Sequence, residues 1–478
     1  MIKDDNIIKI FSNLVDIKRI CCIGAGYVGG PTMAVIAKNC PEIKVEVVDV
    51  NQERINAWND KDLNKLPVFE PGLTDIVNKV RNKNLFFSSN VECAIEKADM
   101  VFISVNTPVK KKGIGAGQTS DLRWVESCAR EICKSARGHT IVVEKSTLPV
   151  KTAQTIKDIL YSADTLNTNN KRTFSVLSNP EFLAEGTAIN DLENPDRVLI
   201  GGDDLDSMNS LKNIYIKWVE SNKIIFTNLW SSELSKLSAN AFLAQRISSI
   251  NSISAICEYT GADIAEVAHA VGMDSRIGKK FLNAGPGFGG SCFKKDILNL
   301  VYLSRYYGLN EVADFWQNTL LINNWQQKRV YEKIVEKLFG NLANKNIAIL
   351  GFAFKENTND TRESPSIEMC KNLINEGAFL TIHDCKVTEE TIIKDLSSEN
   401  KTNKRMWSYH KDVYDALKGA HAVVIMTRWD MYENLLWDTI MPTVKQPFWI
   451  FDTRLVLNPK EMCDLGINLW QLGYGKNK

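Results

Sequence analysis

No stretch of this chain is apolar for long enough to cross a bilayer, which takes about 20 residues. Nor does either sign of charge dominate, since 58 lysines and arginines stand against 57 acids for a net of +1 at pH 7. A basic excess that would draw the chain to nucleic acid or a membrane surface is therefore missing. The eleven cysteines include no CxxC pair and no repeated ligand spacing. That argues against a zinc module or a disulfide scaffold and suits reduced, mostly buried thiols of a cytoplasmic protein. The opening MIKDDNIIKIF mixes acids with lysines and lacks the apolar centre of a secretory signal. What remains is an ordinary globular composition, 44% hydrophobic and 24% charged, over 478 residues. That length suits two to four domains with cores of their own.

Two glycine-rich stretches carry the chemistry. In GFGGSCFKKD, Gly287 to Asp296, three glycines leave Cys292 little shielded and let a ligand approach the main chain. FKKD reads as a first helical turn. A thiol at a helix N-terminus beside Lys294 and Lys295 is expected to ionise more readily than a free one, and Asp296, four residues on, shares its face. A flexible turn with a buried cysteine is the plainer reading of this loop taken alone. In RICCIGAGYVGG an apolar strand, Ile20 to Ile23, runs into Gly24, Gly26 and Gly29, and a second strand ends at Asp49. This is the dinucleotide fingerprint: a tight turn, a close approach for the pyrophosphate, close helix–strand packing, and an acid for a ribose 2′-hydroxyl. Asp49 would repel a 2′-phosphate, which favours NAD over NADP. Arg54 on the following helix is placed to touch the adenosine.

The plan recurs. IAIL from Ile347 and LTIHD ending at Asp384 repeat the first two strands, and AHAVVIMT from Ala420 repeats DMVFISVNTP from Asp99. FWIFD then closes the second sheet at Asp452. Strands alternating with helical stretches predict two doubly wound, Rossmann-like parallel sheets of the α/β class. The second turn, GFAFK, lacks the third glycine and reads as a nucleotide-binding relative, not another NAD site. Between them SSELSKLSANAF offers Ser231 or Ser232 as an N-cap with Leu234, Leu237 and Ala241 at helical spacing, and Val330, Ile334 and Leu338 form a further apolar row. The expected domains are residues 1–230, a central helical 231–339, and 340–478. The stretches KKKGIGAGQTS after Lys110, TLNTNN after Thr165 and SSENKTNK after Ser397 read as solvated loops.

CIGAGYVGG, FISVNTP, EKSTLP, NPEFLAEGTA, SSELSKLSANAF, GFGGSCFKKD and GFAFKENTNDTRES follow one another in order. On these motifs the chain, from about residue 18 to about residue 474, resembles the UDP-glucose/GDP-mannose dehydrogenase family, and its eukaryotic more than its bacterial members. The resemblance implies two successive NAD-dependent oxidations at C6 of UDP-glucose, from alcohol to carboxylate, without release of the aldehyde. It implies Cys292 as the nucleophile that forms a thiohemiacetal and then a thioester. Lys236 is the donor to the developing oxyanion, Asp296 orients or deprotonates water, Glu181 is the other acid/base carboxylate with Thr147 holding the water, and Asn240 bonds the sugar.

Contacts to NAD implied in the same way are Gly24, Gly26, Tyr27, Val28, Gly29, Asp49, Arg54, Val105, Asn106, Thr107, Ser146, Thr147, Glu185, Lys295 and Arg362. For the substrate they are Glu181, Phe182, Leu183, Ala184, Glu185, Lys236, Asn240, Phe281, Leu282, Asn283, Phe288, Gly289, Phe354, Lys355 and Arg454, with Arg276 reaching a neighbouring subunit's substrate. The amides of the Phe288 to Gly290 turn and the cations Lys355 and Arg454 suit its pyrophosphate. Phe281 and Phe288 pack either on uracil or sugar or in the core. Self-association is implied as well, a dimer through the central helices and a hexamer beyond it; no metal is. Asn283 and Pro286 depart from the Lys and Val common in animal members, which removes a cation and stiffens the loop. Two alternatives stay open: a sister enzyme acting on UDP-N-acetylmannosamine or GDP-mannose, and a non-catalytic NAD-binding scaffold or redox sensor using Cys292.

Overall fold

The computed structural model describes residues 15–147, 149–162, 172–397 and 406–475. MIKDDNIIKIF, TLNTNN, Leu148 of EKSTLP and all but the first residue of SSENKTNK lie outside them. The chain divides into two compact units, Met1–Ala239 and Asn240–Lys478.

The first unit is built on eight strands in the order β3-β2-β1-β4-β5-β6-β7-β8. They are β1 (Arg19–Ile23), β2 (Lys44–Val48), β3 (Leu85–Ser88), β4 (Met100–Ile103), β5 (His139–Glu144), β6 (Thr173–Ser178), β7 (Val198–Gly201) and β8 (Ile224–Thr227). All neighbours run parallel except β6 and β7, joined antiparallel through Ser178 and Gly201. Helices cover both faces, so the inner strands read as unbroken apolar runs. Alternation along β1 sends Ile20 and Cys22 into one core and Cys21 and Ile23 into the other. Strand order reverses between β1 and β4, and ligands of such sheets sit outside the carboxyl ends at that point.

The second unit carries β9 (Asn346–Leu350), β10 (Phe379–His383), β11 (Trp407–Tyr409), β12 (Ala422–Ile425), β13 (Trp449–Asp452) and β14 (Asn468–Gln471), all parallel, in the order β11-β10-β9-β12-β13-β14. FWIFD therefore does not close this sheet. NLWQ adds β14 beyond it, with the aromatic rings of Phe451 and Trp470 packed at 6.2 Å. The repeat of strand order 3-2-1-4 in both units is the duplication visible in the motifs.

Ahead of this sheet stand the helices Ile264–Gly272, Phe293–Tyr306 and Asn310–Lys337. Val330, Ile334 and Leu338 are fully buried against the second sheet. The long helix Leu229–Thr260 contains the boundary between the units, with Lys236 on one side of it and Asn240 on the other. It begins earlier than its serines suggest. Ser231 and Ser232 lie inside the first turn, and Asn228 Oδ1 accepts from Ser231 N at 2.8 Å and takes the capping role. All eleven cysteines are free thiols. Among the described residues no helix is long and apolar enough to cross a membrane, and no cluster of histidines, cysteines and acids could hold a metal ion.

Candidate active site

The glycine turn after β1 shows why each glycine is there. Gly24 has φ +111°, and a Cβ on it would lie 2.3 Å from the carbonyl oxygen of Ser104. On Gly29, which opens the helix Gly29–Asn39, a Cβ would meet the Gly24 oxygen at 1.9 Å. Gly26 has nothing within 4 Å, so its bare backbone borders open space at a helix N-terminus, where an anion is favoured. Tyr27 and Val28 beside it are half-buried. Asp49 receives Ala25 N at 3.0 Å, Asn51 N at 2.9 Å and the Arg54 guanidinium at 2.9 Å. The acid and arginine expected at the adenosine end are thus one ion pair. A pyrophosphate-bearing dinucleotide suits this cradle, since the positions that must be bare are bare and the ribose acid is in place.

At the ends of β4 and β5 two turns are laced together. Ser146 Oγ donates to the Val105 carbonyl at 2.7 Å, and Thr107 Oγ1 donates to the Thr147 carbonyl at 3.1 Å. Asn106 between them is exposed. Thr147 Oγ1 in turn donates to Glu181 Oε1 at 3.1 Å, and Lys236 Nζ lies 3.7 Å from the same oxygen. Both charged groups are almost wholly buried, where an ion pair is little screened and each partner needs the other. Glu181 Oε2 has no hydrogen-bond partner among the described residues. Lys236 also stands over the Phe182 ring at 5.3 Å. The four residues Phe182 to Glu185 are half-buried, and Glu70 clamps the loop from behind by accepting Gly186 N at 2.9 Å and Ala188 N at 3.2 Å. Behind Glu181, Lys145 donates to Asn179 at 3.1 Å, and burial pushes its ammonium down to about 8.

In the second unit Cys292 is the N-cap residue of the helix Phe293–Tyr306 and is half-buried, with Ser291 Oγ 3.5 Å from its sulfur. One turn on, Asp296 has no surface in water. Its Oδ2 accepts from Asn240 Nδ2 at 2.6 Å, and Lys295 Nζ lies 3.6 Å from its Oδ1. Lys294 points elsewhere, to Glu363 at 2.8 Å. Asn240 has therefore given one amide N–H to Asp296, leaving its second N–H and its carbonyl oxygen to offer a sugar.

The glycines of the cysteine loop are there for the packing of the second unit. A Cβ on Gly289 would lie 2.4 Å from the Glu363 carbonyl oxygen. Phe288 N donates to Asn323 Oδ1 at 2.7 Å, and Gly290 N donates to the Arg362 carbonyl at 2.9 Å. This corrects the expectation for the turn: those two amides are spent within the chain and are not donors to a pyrophosphate. Phe288 belongs to the apolar cluster of Ala241, Ile297 and Trp316, edge-on to Phe293 at 5.7 Å. It is a core residue. Leu282 is buried too, whereas Phe281, at φ +62°, and Asn283 are exposed.

The cations expected at the ligands each have a partner within this unit. Arg454 donates to the carbonyls of Met426 at 2.7 Å and Phe354 at 3.4 Å, and burial pushes it down to about 10. Lys355 stands 5.7 Å over the Phe354 ring, Arg362 pairs with Asp360, and Arg276 is exposed and pairs with Asp274. Asp384 mirrors Asp49 but is saturated. Its carboxylate takes Phe352 N, Ala353 N, Lys386 N, Val387 N and the Trp429 indole N–H, leaving no room for a ribose hydroxyl.

Glu70, Arg197, Asn323 and Trp58 escape sequence reasoning. Arg197 lies 3.7 Å over the Phe182 ring, and Trp58 fills the space beside Gly30, where a Cβ would meet its ring at 2.2 Å. Only Gly30, next to the fingerprint, carried a signal.

Three family models match the chain. Residues 18–219 match the UDP-glucose/GDP-mannose dehydrogenase family NAD binding domain, 230–325 its central domain and 348–459 its UDP binding domain. Mouse UDP-glucose 6-dehydrogenase is 54% identical over 470 residues, 96% of this chain and 94% of the mouse protein. A UDP-glucose dehydrogenase structure from the hyperthermophilic archaeon Pyrobaculum islandicum superposes with a TM-score of 0.80 at 30% identity, over 92% of this chain and 95% of that one. The fold is shared with UDP-D-ManNAc dehydrogenase from Pyrococcus horikoshii, TM-score 0.79 at 23% identity over 96% and 99% of the two chains.

Proposed function

We propose, for a chain that belongs to the UDP-glucose/GDP-mannose dehydrogenase family, an NAD-dependent double oxidation of UDP-glucose at C6 that ends at UDP-glucuronate. The observation that carries this reading is the placement of Cys292 at a helix N-cap with Asp296 buried one turn further on and fixed by Asn240. NAD supplies the hydride acceptor for both oxidations, held by the glycine turn, Asp49 and the 105–107 and 146–147 turns.

In the first oxidation the C6 hydroxyl proton leaves to a base or to a water that the Thr147–Glu181 pair orients. The Cys292 sulfur then bonds to the aldehyde carbon and the carbonyl oxygen takes up a proton, giving a thiohemiacetal. Loss of the second hydride and of the hydroxyl proton leaves a thioester. Water adds to it, the carbon–sulfur bond breaks, and the carboxylate and the free thiol are restored. Lys236 supplies a fixed positive group to the oxygen that becomes anionic, a role that suits an ammonium buried away from water. Asp296 takes the proton of the attacking water. Lys355 and Arg454 neutralise the diphosphate.

UDP-glucose is favoured over sister sugars because relatedness is far greater to a UDP-glucose 6-dehydrogenase, at 54%, than to the UDP-D-ManNAc enzyme, at 23%. Self-association through the central helices is supported by large apolar side chains left exposed there, Phe242, Ile256, Tyr259, Phe315 and Leu321. The deciding experiment counts NADH formed per UDP-glucose consumed, with two as the expected ratio. A ratio of one, or faster initial rates with UDP-N-acetylmannosamine or GDP-mannose, overturns the assignment. Mass measurement with and without UDP-sugar checks the assembly.

A further inference from the structure

Two buried carboxylates in the first unit have no part in that reaction. Glu144 ends β5 three residues before Thr147, and Glu233 lies three residues before Lys236 on the Leu229–Thr260 helix. They are 2% and 3% exposed, so neither is solvated. Their side chains face each other, and two carboxyl groups share a hydrogen bond only when one of them keeps its proton.

Geometry assigns the proton. Glu233 accepts Lys151 N at 2.7 Å and Ala153 N at 2.8 Å, at the start of the helix Thr152–Ser162. It is the anion, at the positive end of a helix dipole. Glu144 Oε2 is buried with no hydrogen-bond partner among the described residues, so no donor there stabilises a charge on Glu144. Glu233 is the charged group that faces Glu144. The cations on the same elements turn elsewhere, Lys145 to Asn179 and Lys236 to Glu181.

We propose that Glu144 and Glu233 hold one proton between them and act as a positioning pair, keeping the 146–147 turn and the helix segment bearing Lys236 in a single register around Glu181. The link ties the end of β5, the start of the Thr152–Ser162 helix and the start of the Leu229–Thr260 helix at one point. Thr147 and Lys236 both address the same Glu181 oxygen, so a slip of either segment separates them. This deepens the reading of those residues given above and rests on it.

Burial, and then the charge on Glu233, raise Glu144 well above the usual carboxylate range. The sign follows from linkage: the stability tied to a protonated Glu144 is whole below the ordinary carboxylate pKa of about 4.3 and is lost as pH rises toward the folded value.

The test compares full-length wild type, Glu144→Gln and Glu144→Ala by thermal melting from about pH 5 to about pH 9 and by kcat and KM for UDP-glucose and NAD. Glutamine keeps a donor toward Glu233 and cannot ionise. Glu144→Gln is expected to keep kcat near wild type and to melt increasingly above wild type as pH rises. Glu144→Ala leaves Glu233 without that donor, and its kcat is expected to fall on the order of 10²-fold from misplacement, with a raised KM for NAD because the 146–147 turn also holds the coenzyme. A melting difference between wild type and Glu144→Gln that does not change with pH overturns the shared proton. Full kcat in Glu144→Ala overturns the positioning role. A wild type that leaves UDP-glucose untouched removes the catalytic reading and that role together, while the melting series still reads the shared proton. If Glu144→Ala does not fold, Glu144→Gln decides: a kcat that falls with the alkaline limb of wild type while its melting does not overturns the pair.

Discussion

Asn240 Nδ2 donates to Asp296 Oδ2 across 2.6 Å, and Lys295 stands 3.6 Å from the other oxygen. A carboxylate with no exposed surface thus takes a neutral amide on one oxygen and has a cation beside the other. Asn240→Ala removes a hydrogen bond to a charged, buried group and should cost about 1.5–3 kcal/mol, read as a shift of the urea midpoint. Asp296→Asn should leave the fold intact and lower kcat by about 10²–10⁴-fold, the contribution typical of a positioned acid or base. A variant at wild-type turnover would remove Asp296 from the reaction.

Cys292→Ser should abolish UDP-glucuronate formation while NAD still binds, because the sulfur heads a helix far in sequence from the glycine turn. Product analysis and NAD titration of the same preparation check both halves. Undiminished acid formation would rule out a thioester.

Gly26 and Gly29 should respond oppositely to alanine. Gly29→Ala forces a carbon to within 1.9 Å of the Gly24 oxygen, and the shift needed should cost about 1–3 kcal/mol of stability. Gly26→Ala meets nothing within 4 Å, so it should melt like wild type and lose NAD affinity, since its methyl occupies the approach expected for the pyrophosphate. Equal affinity in Gly26→Ala would place the coenzyme elsewhere.

Lys145 gives a pH signature of its own. Burial lowers it to about 8 from an ordinary value of 10.5. Between those two values the unfolded chain holds a proton that the folded chain does not, so the Lys145 contribution to stability rises with pH there and is flat below about 8. Lys145→Met should erase that rise in melting curves taken against pH. A slope identical to wild type would mean that the ammonium stays charged in the fold.

Much of this is legible in the sequence, and the reason differs from residue to residue. Gly24 and Gly29 announce themselves because only glycine tolerates oxygens at 2.3 and 1.9 Å. The alternation in β1 and the paired acids Asp49 and Asp384 betray the duplicated sheet. The start of the Leu229–Thr260 helix is misplaced because Ser231 and Ser232 are good caps in isolation, while Asn228, earlier in the chain, does the capping. The pyrophosphate reading fails for the Phe288 and Gly290 amides because Asn323 and Arg362, residues distant in sequence, take them. Glu70, Arg197 and the Glu144–Glu233 pair act only through contacts between remote segments, which no local pattern records.

The five donors gathered on Asp384 bear on how a duplicated nucleotide fold parts company with its coenzyme. Glycine at Ala353, which stands where the first turn has Gly26, would address the phosphate end alone. The sugar end is closed by the main chain itself and by the ring of Trp429, so a single substitution cannot turn the second fold back into a copy of the first.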